Sequence, residues 1–133
     1  MNLLRYVWAF PNTALGLLAT LLTLATGGKV RRVAGTLEVH GGFARWFLGL
    51  PLFGAAAMTL GHVILGQEEW YLWMHRAHER AHVRQCEAWG IFFLPAYFLA
   101  SLWAWVRGGH PYHDNWFEVM AEREAGTSPL PPP

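Results

Sequence analysis

The chain has 133 residues, a length typical of a single domain. Charged residues make up 14% of it and hydrophobic residues 53%, whereas ordinary soluble domains carry about 25% charged residues. The formal net charge of +1 gives no sign of a nucleic-acid partner, and the single cysteine, Cys86, excludes an internal disulfide.

An apolar stretch opens the chain over residues 3–26, with Arg5 near its start. Pro11 is expected to interrupt a helix here, so that only residues 13–26 are free of breaks. A secretory signal is a poor fit, because Trp8 and Pro11 fall inside the apolar part. We predict a hydrophobic helix that spans or dips into a bilayer, with a buried core helix as the alternative.

Short strands are predicted next. Residues 30–40 are predicted to be extended, with a turn or a bulge at Gly35. Apolar and polar residues alternate over 36–40, as in a half-buried strand. Residues 43–52 form a short amphipathic segment. Residues 59–65 predict another strand, which ends in a turn at Gly66.

The central stretch, residues 75–90, contains His78-Glu79-x-x-His82. Residues four apart on a helix share one face, so both imidazoles can bind one metal ion. Glu79 points about 100° round the helix, where it can act on a metal-activated water without binding the ion. Gly90 is expected to end this helix.

Three neighbouring residues admit two interpretations each. His75 is either an alternative or supporting ligand or a surface residue. Cys86 could bind a metal ion, although a small buried hydrophobic role is favoured. His62 either lines a substrate cleft or is a hydrogen-bonded histidine in a strand, and the latter is favoured.

Residues 88–106 contain no charge and form the strongest membrane candidate. Pro95 predicts a kink, or two short helices that form a re-entrant hairpin. A hydrophobic helical hairpin would return the chain to the side of the His78–His82 helix. The predicted fold is therefore α+β and mostly helical, with a few short strands before the central helix.

A last short helix is predicted over residues 115–125, capped by Asp114 or Asn115. Glu118 on this helix is the candidate third metal ligand, which a catalytic zinc ion requires. Glu122 follows four residues later and could orient one of the histidines. The alternative is that these glutamates form a solvated face. Residues 1–126 then form one domain, and residues 127–133 are a disordered, proline-rich tail.

The motif resembles the gluzincin class of zinc metallopeptidases, which combine HExxH with a Glu from a later helix. The resemblance rests on His78, Glu79, His82 and Glu118, together with their neighbours Asn115, Ala121 and Glu122. It extends over roughly residues 59–125, and the chain looks like small bacterial membrane-associated proteins of this type.

The resemblance implies one zinc ion held by His78, His82 and Glu118, with Glu79 as the general base for peptide hydrolysis. It also implies a peptide or protein substrate, a membrane-lipid environment and a location in the bacterial inner membrane. Residues in the loop before Glu118 are candidates for stabilising the oxyanion: Tyr112, His110 and His113.

Two other functions remain open. The chain could be a non-catalytic small membrane protein whose zinc site is structural or degenerate. Intramembrane proteolysis is less favoured, because it needs an Asp ligand in a later transmembrane segment and residues 88–106 contain none.

Overall fold

A computed structural model describes residues 3–51 and 54–127 of the chain. The predicted α+β, mostly helical fold is confirmed. The helices are α1 (Leu3–Ala25), α2 (Gly42–Leu48), α3 (Glu69–Met74), α4 (Arg76–Trp89), α5 (Phe93–Val106) and α6 (Trp116–Thr127), with one 3-10 turn at Gly90–Phe92. The strands are β1 (Lys29–Val33), β2 (Thr36–His40), β3 (Ala57–Leu60) and β4 (Val63–Gly66). The predicted tail, apart from Thr127 at the end of α6, lies outside the described residues.

The four strands form one mixed sheet in the order β1-β2-β4-β3. Strands β1 and β2 form an antiparallel hairpin, whose turn residues Ala34 and Gly35 both have positive φ angles. Such a pair is typical of a two-residue hairpin, so the predicted turn at Gly35 is confirmed. Strand β2 pairs with β4 in parallel, and β3 pairs with β4 antiparallel, which leaves β1 and β3 at the two edges.

Helices cover both faces of this sheet. On one face, Val39, Val63 and Leu65 pack in a core with side chains of α1 and α2. On the other face, Ile64 packs against Leu72 of α3 and Val83 of α4. The helix that carries the HExxH motif is therefore held against the second face of the sheet.

Strand β2 is more buried than its alternation predicted. Thr36, Glu38 and Val39 are all buried, because β2 lies inside the sheet with helices on both sides. Glu38 is compatible with burial since Arg76 of α4 donates two hydrogen bonds to its carboxylate, at 2.7 and 2.8 Å. Arg76 lies 38 positions after Glu38. The alternation of residues along β2 therefore could not predict this contact.

The single strand predicted over residues 59–65 is wrong. The structure has two short strands, β3 and β4, joined by a turn at Gly61 and His62, and Gly66 belongs to β4. Gly61 has a φ of 62°, and a Cβ there would lie 2.4 Å from the backbone nitrogen of Thr13. The close approach of α1 therefore fixes the turn at this glycine.

Helix α1 runs through Pro11 without a break, contrary to the expected interruption. Loss of one backbone hydrogen bond is tolerated, because α1 is held along its length by packing. Its buried side chains are small or polar, whereas its leucines face outward. By length and composition, α1 and the run 76–106 could each cross a membrane, a test that the core helix of a soluble protein also passes.

The connection between α4 and α6 is simpler than the predicted hairpin. Gly90, with a φ of 58°, ends α4 as predicted. The chain then makes one 3-10 turn and one helix, α5, rather than two short helices. Pro95 lies in the first turn of α5, where its missing N–H leaves no hydrogen bond unmade.

Candidate metal centre

Three ligand atoms from two helices converge on one point. His78 Nε2 and His82 Nε2 lie 3.2 Å apart, and Glu118 Oε2 lies 2.9 and 3.1 Å from them. A tetrahedral zinc ion with bonds of about 2.0 Å separates its ligand atoms by roughly 3.3 Å. Among the described residues, only this group could hold a metal ion. A small outward adjustment of the three side chains would accommodate one.

The local sequence explains this convergence. His78 and His82 are one turn apart on α4, and the buried residues Phe117 and Ala121 bring α6 close to the same helix. Asn115 is completely buried and its Oδ1 accepts a 2.8 Å hydrogen bond from the Phe117 N–H, so the predicted cap at Asn115 is confirmed. Glu118 therefore projects from the first turn of α6 toward the imidazoles.

The protonation pattern of His82 suits a metal ligand. Its Nδ1 lies 2.8 Å from Gln85 Oε1, while Gln85 Nε2 donates to the Phe117 carbonyl at 2.9 Å. The second contact fixes the orientation of the amide, so that Nδ1 carries the proton. When the ring is neutral, the lone pair of Nε2 therefore faces the centre, as metal binding requires.

Glu118 presents an ionised carboxylate to the two imidazoles. Tyr97 of α5 donates a hydrogen bond of 2.6 Å to Oε1, which leaves Oε2 for the centre. Burial by itself raises the pKa of Glu118, but hydrogen bonds from His78 and His82 outweigh it and hold this pKa well below its usual range. A charged oxygen ligand is therefore present at neutral pH.

The carboxylate of Glu79 lies beside the triad but faces β3. The side chain is 5% exposed, and the hydroxyl of Thr59 donates to its Oε2 at 2.6 Å. Tyr112, in the loop before α6, is 48% exposed, and partial burial together with the carboxylates of Glu118 and Glu79 raises the pKa of its phenol.

The other predicted site residues contribute no ligand atom to the centre. Glu122 Oε2 lies 3.1 Å from His78 Nδ1, but the direction of approach is not that of a hydrogen bond, and Nδ1 is left without a hydrogen-bond partner. His75 lies between α3 and α4 against Tyr71. The rings of His110 and His113 lie 4.5 Å apart at a tilt of 43°, in the exposed loop before α6.

His62 and Cys86 also lie outside the triad. His62 Nε2 is 2.9 Å from Glu87 Oε2, and its ring stacks on Tyr6, so the histidine is held by hydrogen bonds as favoured. It is part of a turn, however, and not of a strand. Cys86 is completely buried and packs with Ala9 and Phe93, which is consistent with a small hydrophobic role.

Sequence reasoning missed three residues that hold the site: Thr59, Gln85 and Tyr97. Gln85 follows His82 by three positions and shares its helix face, so its role could have been found from the helical pattern. Thr59 and Tyr97 come from a strand and a later helix, and only the fold brings them here.

Comparisons with protein families, curated proteins and solved structures found no match to this chain.

Proposed function

We propose that this protein is a zinc-dependent peptidase that acts at a membrane. The proposal is carried by the convergence of His78 Nε2, His82 Nε2 and Glu118 Oε2. Structural zinc sites have four protein ligands, whereas catalytic sites have three and leave one position for water or substrate. Two imidazoles and one carboxylate favour zinc in a hydrolytic site.

The chain supplies the groups that hydrolysis of a peptide bond needs. When bound, zinc would lower the pKa of a water at the open position and polarise a substrate carbonyl. Glu79 would accept the proton of a water at the open position and return it to the leaving amine. Thr59 holds one oxygen of Glu79, and the phenol of Tyr112 would donate to the negative charge that develops on the carbonyl oxygen.

A non-catalytic zinc protein is the second candidate, and one observation favours it. Two cavities, of about 260 and 220 Å³, lie away from the triad and are lined by other residues, so they provide no substrate pocket at the centre. In this alternative, the ion would stabilise the contact between α4 and α6 without turnover.

Hydrolysis of a fluorogenic peptide library by the zinc-loaded protein in detergent separates the two functions. We expect wild type to cleave and Glu79→Gln to bind zinc normally but lose at least about 100-fold in rate, because the general base is absent. Equal rates for the two proteins would contradict the role of Glu79. Zinc binding without hydrolysis by wild type would establish the non-catalytic alternative.

A further inference from the structure

The outward face of α1 is apolar from Val7 to Leu24. No charged residue occurs between Tyr6 and Ala25. Large hydrophobic side chains cover this face and are 37 to 75% exposed between Leu3 and Leu24. Prominent among them are Leu15, Leu18, Leu21 and Leu22. An apolar surface of this length marks a contact with lipid or another apolar body.

A second apolar face on α5 adjoins the first. Phe98, Leu99, Trp103 and Val106 are 62 to 66% exposed on one side of this helix. The two faces meet at the corner between the helices, where the rings of Trp8 and Phe92 lie 6.3 Å apart. Helix α5 has 14 residues and is about 21 Å long at 1.5 Å per residue, shorter than the roughly 30 Å of bilayer hydrocarbon.

Helix α1 is long enough to cross, but it is bound to the domain along its length. Near its start, Tyr6 donates to the Gly35 carbonyl at 3.1 Å. In its middle, Asn12 donates to the Gly90 carbonyl at 2.7 Å. Just after its last residue, the Phe43 N–H donates to Thr26 Oγ1 at 2.7 Å. The sheet is therefore fixed to α1 and must move with the helix into any membrane.

The accompanying sheet is unsuited to hydrocarbon. Strand β1 is an edge strand, and its cationic residues Lys29, Arg31 and Arg32 are exposed. An upright α1 would carry this open edge and these three cations to different depths in the bilayer. Open sheet edges do not occur in hydrocarbon, and Lys and Arg are costly at its centre.

We propose that α1 lies in the plane of one membrane leaflet, with its leucine face in the acyl region and the sheet in water. The protein is then monotopic, and α5 enters the same leaflet without crossing it. This proposal does not depend on catalysis at the metal centre. Its consequence is that residues at the two ends of α1 lie on the same side of the membrane.

Charge and aromatic placement favour lipid over a second copy of the chain. Arg5 lies in the first turn of α1, Lys29 follows the end of α1 and Arg107 follows α5, where cations can meet anionic headgroups. The guanidinium of Arg107 lies 5.6 Å from the ring centroid of Trp103, a pair suited to the membrane–water boundary. A self-association surface would not require cations at both ends.

Labelling with a membrane-impermeant maleimide tests this orientation. Arg5→Cys and Lys29→Cys are expressed singly in a bacterial host, and intact spheroplasts are compared with inside-out vesicles. Wild type serves as the control, because its single Cys86 is completely buried and should not react. We expect both introduced thiols to be labelled in the same preparation and to remain unlabelled in the other.

Labelling of the two positions from opposite sides would show that α1 crosses the bilayer, and would overturn the proposal. Protection of both positions in both preparations would also overturn it, since their side chains are expected among the headgroups. Wild type that fails to float with vesicles of phosphatidylcholine and phosphatidylglycerol at 3:1 would show that lipid does not cover this surface.

Discussion

The hydroxyl of Tyr97 donates a 2.6 Å hydrogen bond to Glu118 Oε1, so that only Oε2 of this carboxylate faces the two imidazoles. The contact joins the apolar helix α5 to the candidate metal ligand on α6. Asn115 strengthens the same junction, because its side-chain amide donates to the Tyr97 carbonyl and to Ser101 Oγ. The position of Glu118 thus depends on how α5 and α6 pack.

Tyr97→Phe is expected to weaken zinc binding by about 10- to 100-fold, because partners that orient a metal ligand typically contribute this much. Competition with a chromophoric chelator measures the affinity. Tyr71→Phe is the matched control, since Tyr71 lies on α3 and should leave the affinity unchanged. An unaltered affinity in Tyr97→Phe would show that Glu118 does not need this hydrogen bond.

Zinc affinity is expected to fall with acidification. Imidazoles bind metal ions only when neutral. Burial lowers the pKa values of His78 and His82, but their hydrogen bonds to Glu118 outweigh it and raise both, that of His82 to about 9, so protons compete with the ion for these rings. The pKa of Glu118 is lowered, so this ligand stays ionised from pH 5 to 8 and releases no proton on binding. Binding of the ion then displaces at most two protons, one each from His78 and His82, so the zinc affinity changes by at most about 100-fold per pH unit. Calorimetry in buffers of different ionisation enthalpy counts them, and a pH-independent affinity between pH 5 and 7 would argue against the two-histidine site.

Glu38→Ala is expected to lower the free energy of unfolding by about 3–5 kcal/mol, because it leaves the buried Arg76 guanidinium unpaired. Replacing both partners, as in Glu38→Leu with Arg76→Met, should restore most of the stability. Chemical unfolding in detergent compares the three proteins. If the single and double variants are equally unstable, the two side chains contribute separately and not as a pair.

Gly90→Ala is expected to destabilise the protein by about 1–3 kcal/mol through backbone strain alone. Gly90 has φ 58° and ψ −132°, and a Cβ there would lie 2.5 Å from the indole of Trp8. Gly126→Ala is the matched control, since Gly126 lies in α6 with open space around it and gains helix propensity. The thermal unfolding midpoints should therefore move in opposite directions, and equal shifts would refute the strain at Gly90.

Local patterns predicted those parts of the fold whose causes are local. The hairpin turn at Gly35 and the helix end at Gly90 follow from the backbone freedom of glycine, and the cap at Asn115 follows from a side chain two residues before its donor. Burial of Glu38 depends on a partner 38 positions away, and the turn at Gly61 depends on contact with α1. The hydrophobic periodicity of the sequence predicts neither contact, because both join residues far apart in the chain.

In the candidate site as well, local contacts could be predicted from the sequence and long-range contacts could not. The spacing of His78 and His82 on one helix predicts that they can share an ion, and their two Nε2 atoms lie 3.2 Å apart. Glu118 could be proposed as the third ligand only because the HExxH motif and a glutamate on a later predicted helix occur in the same chain. Its supporting contact from Tyr97 is a product of tertiary packing, because no spacing rule relates a residue on α5 to one on α6.

The metal content of the purified protein tests the central claim most directly. Wild type, His82→Ala and Glu118→Ala are expressed with added zinc, dialysed and analysed by inductively coupled plasma mass spectrometry, with His75→Ala as the control outside the triad. We predict about one zinc ion per chain in wild type and His75→Ala, because three protein ligands hold it, and far less in the other two variants. Wild type without bound zinc, or His82→Ala with as much zinc as wild type, would contradict the account.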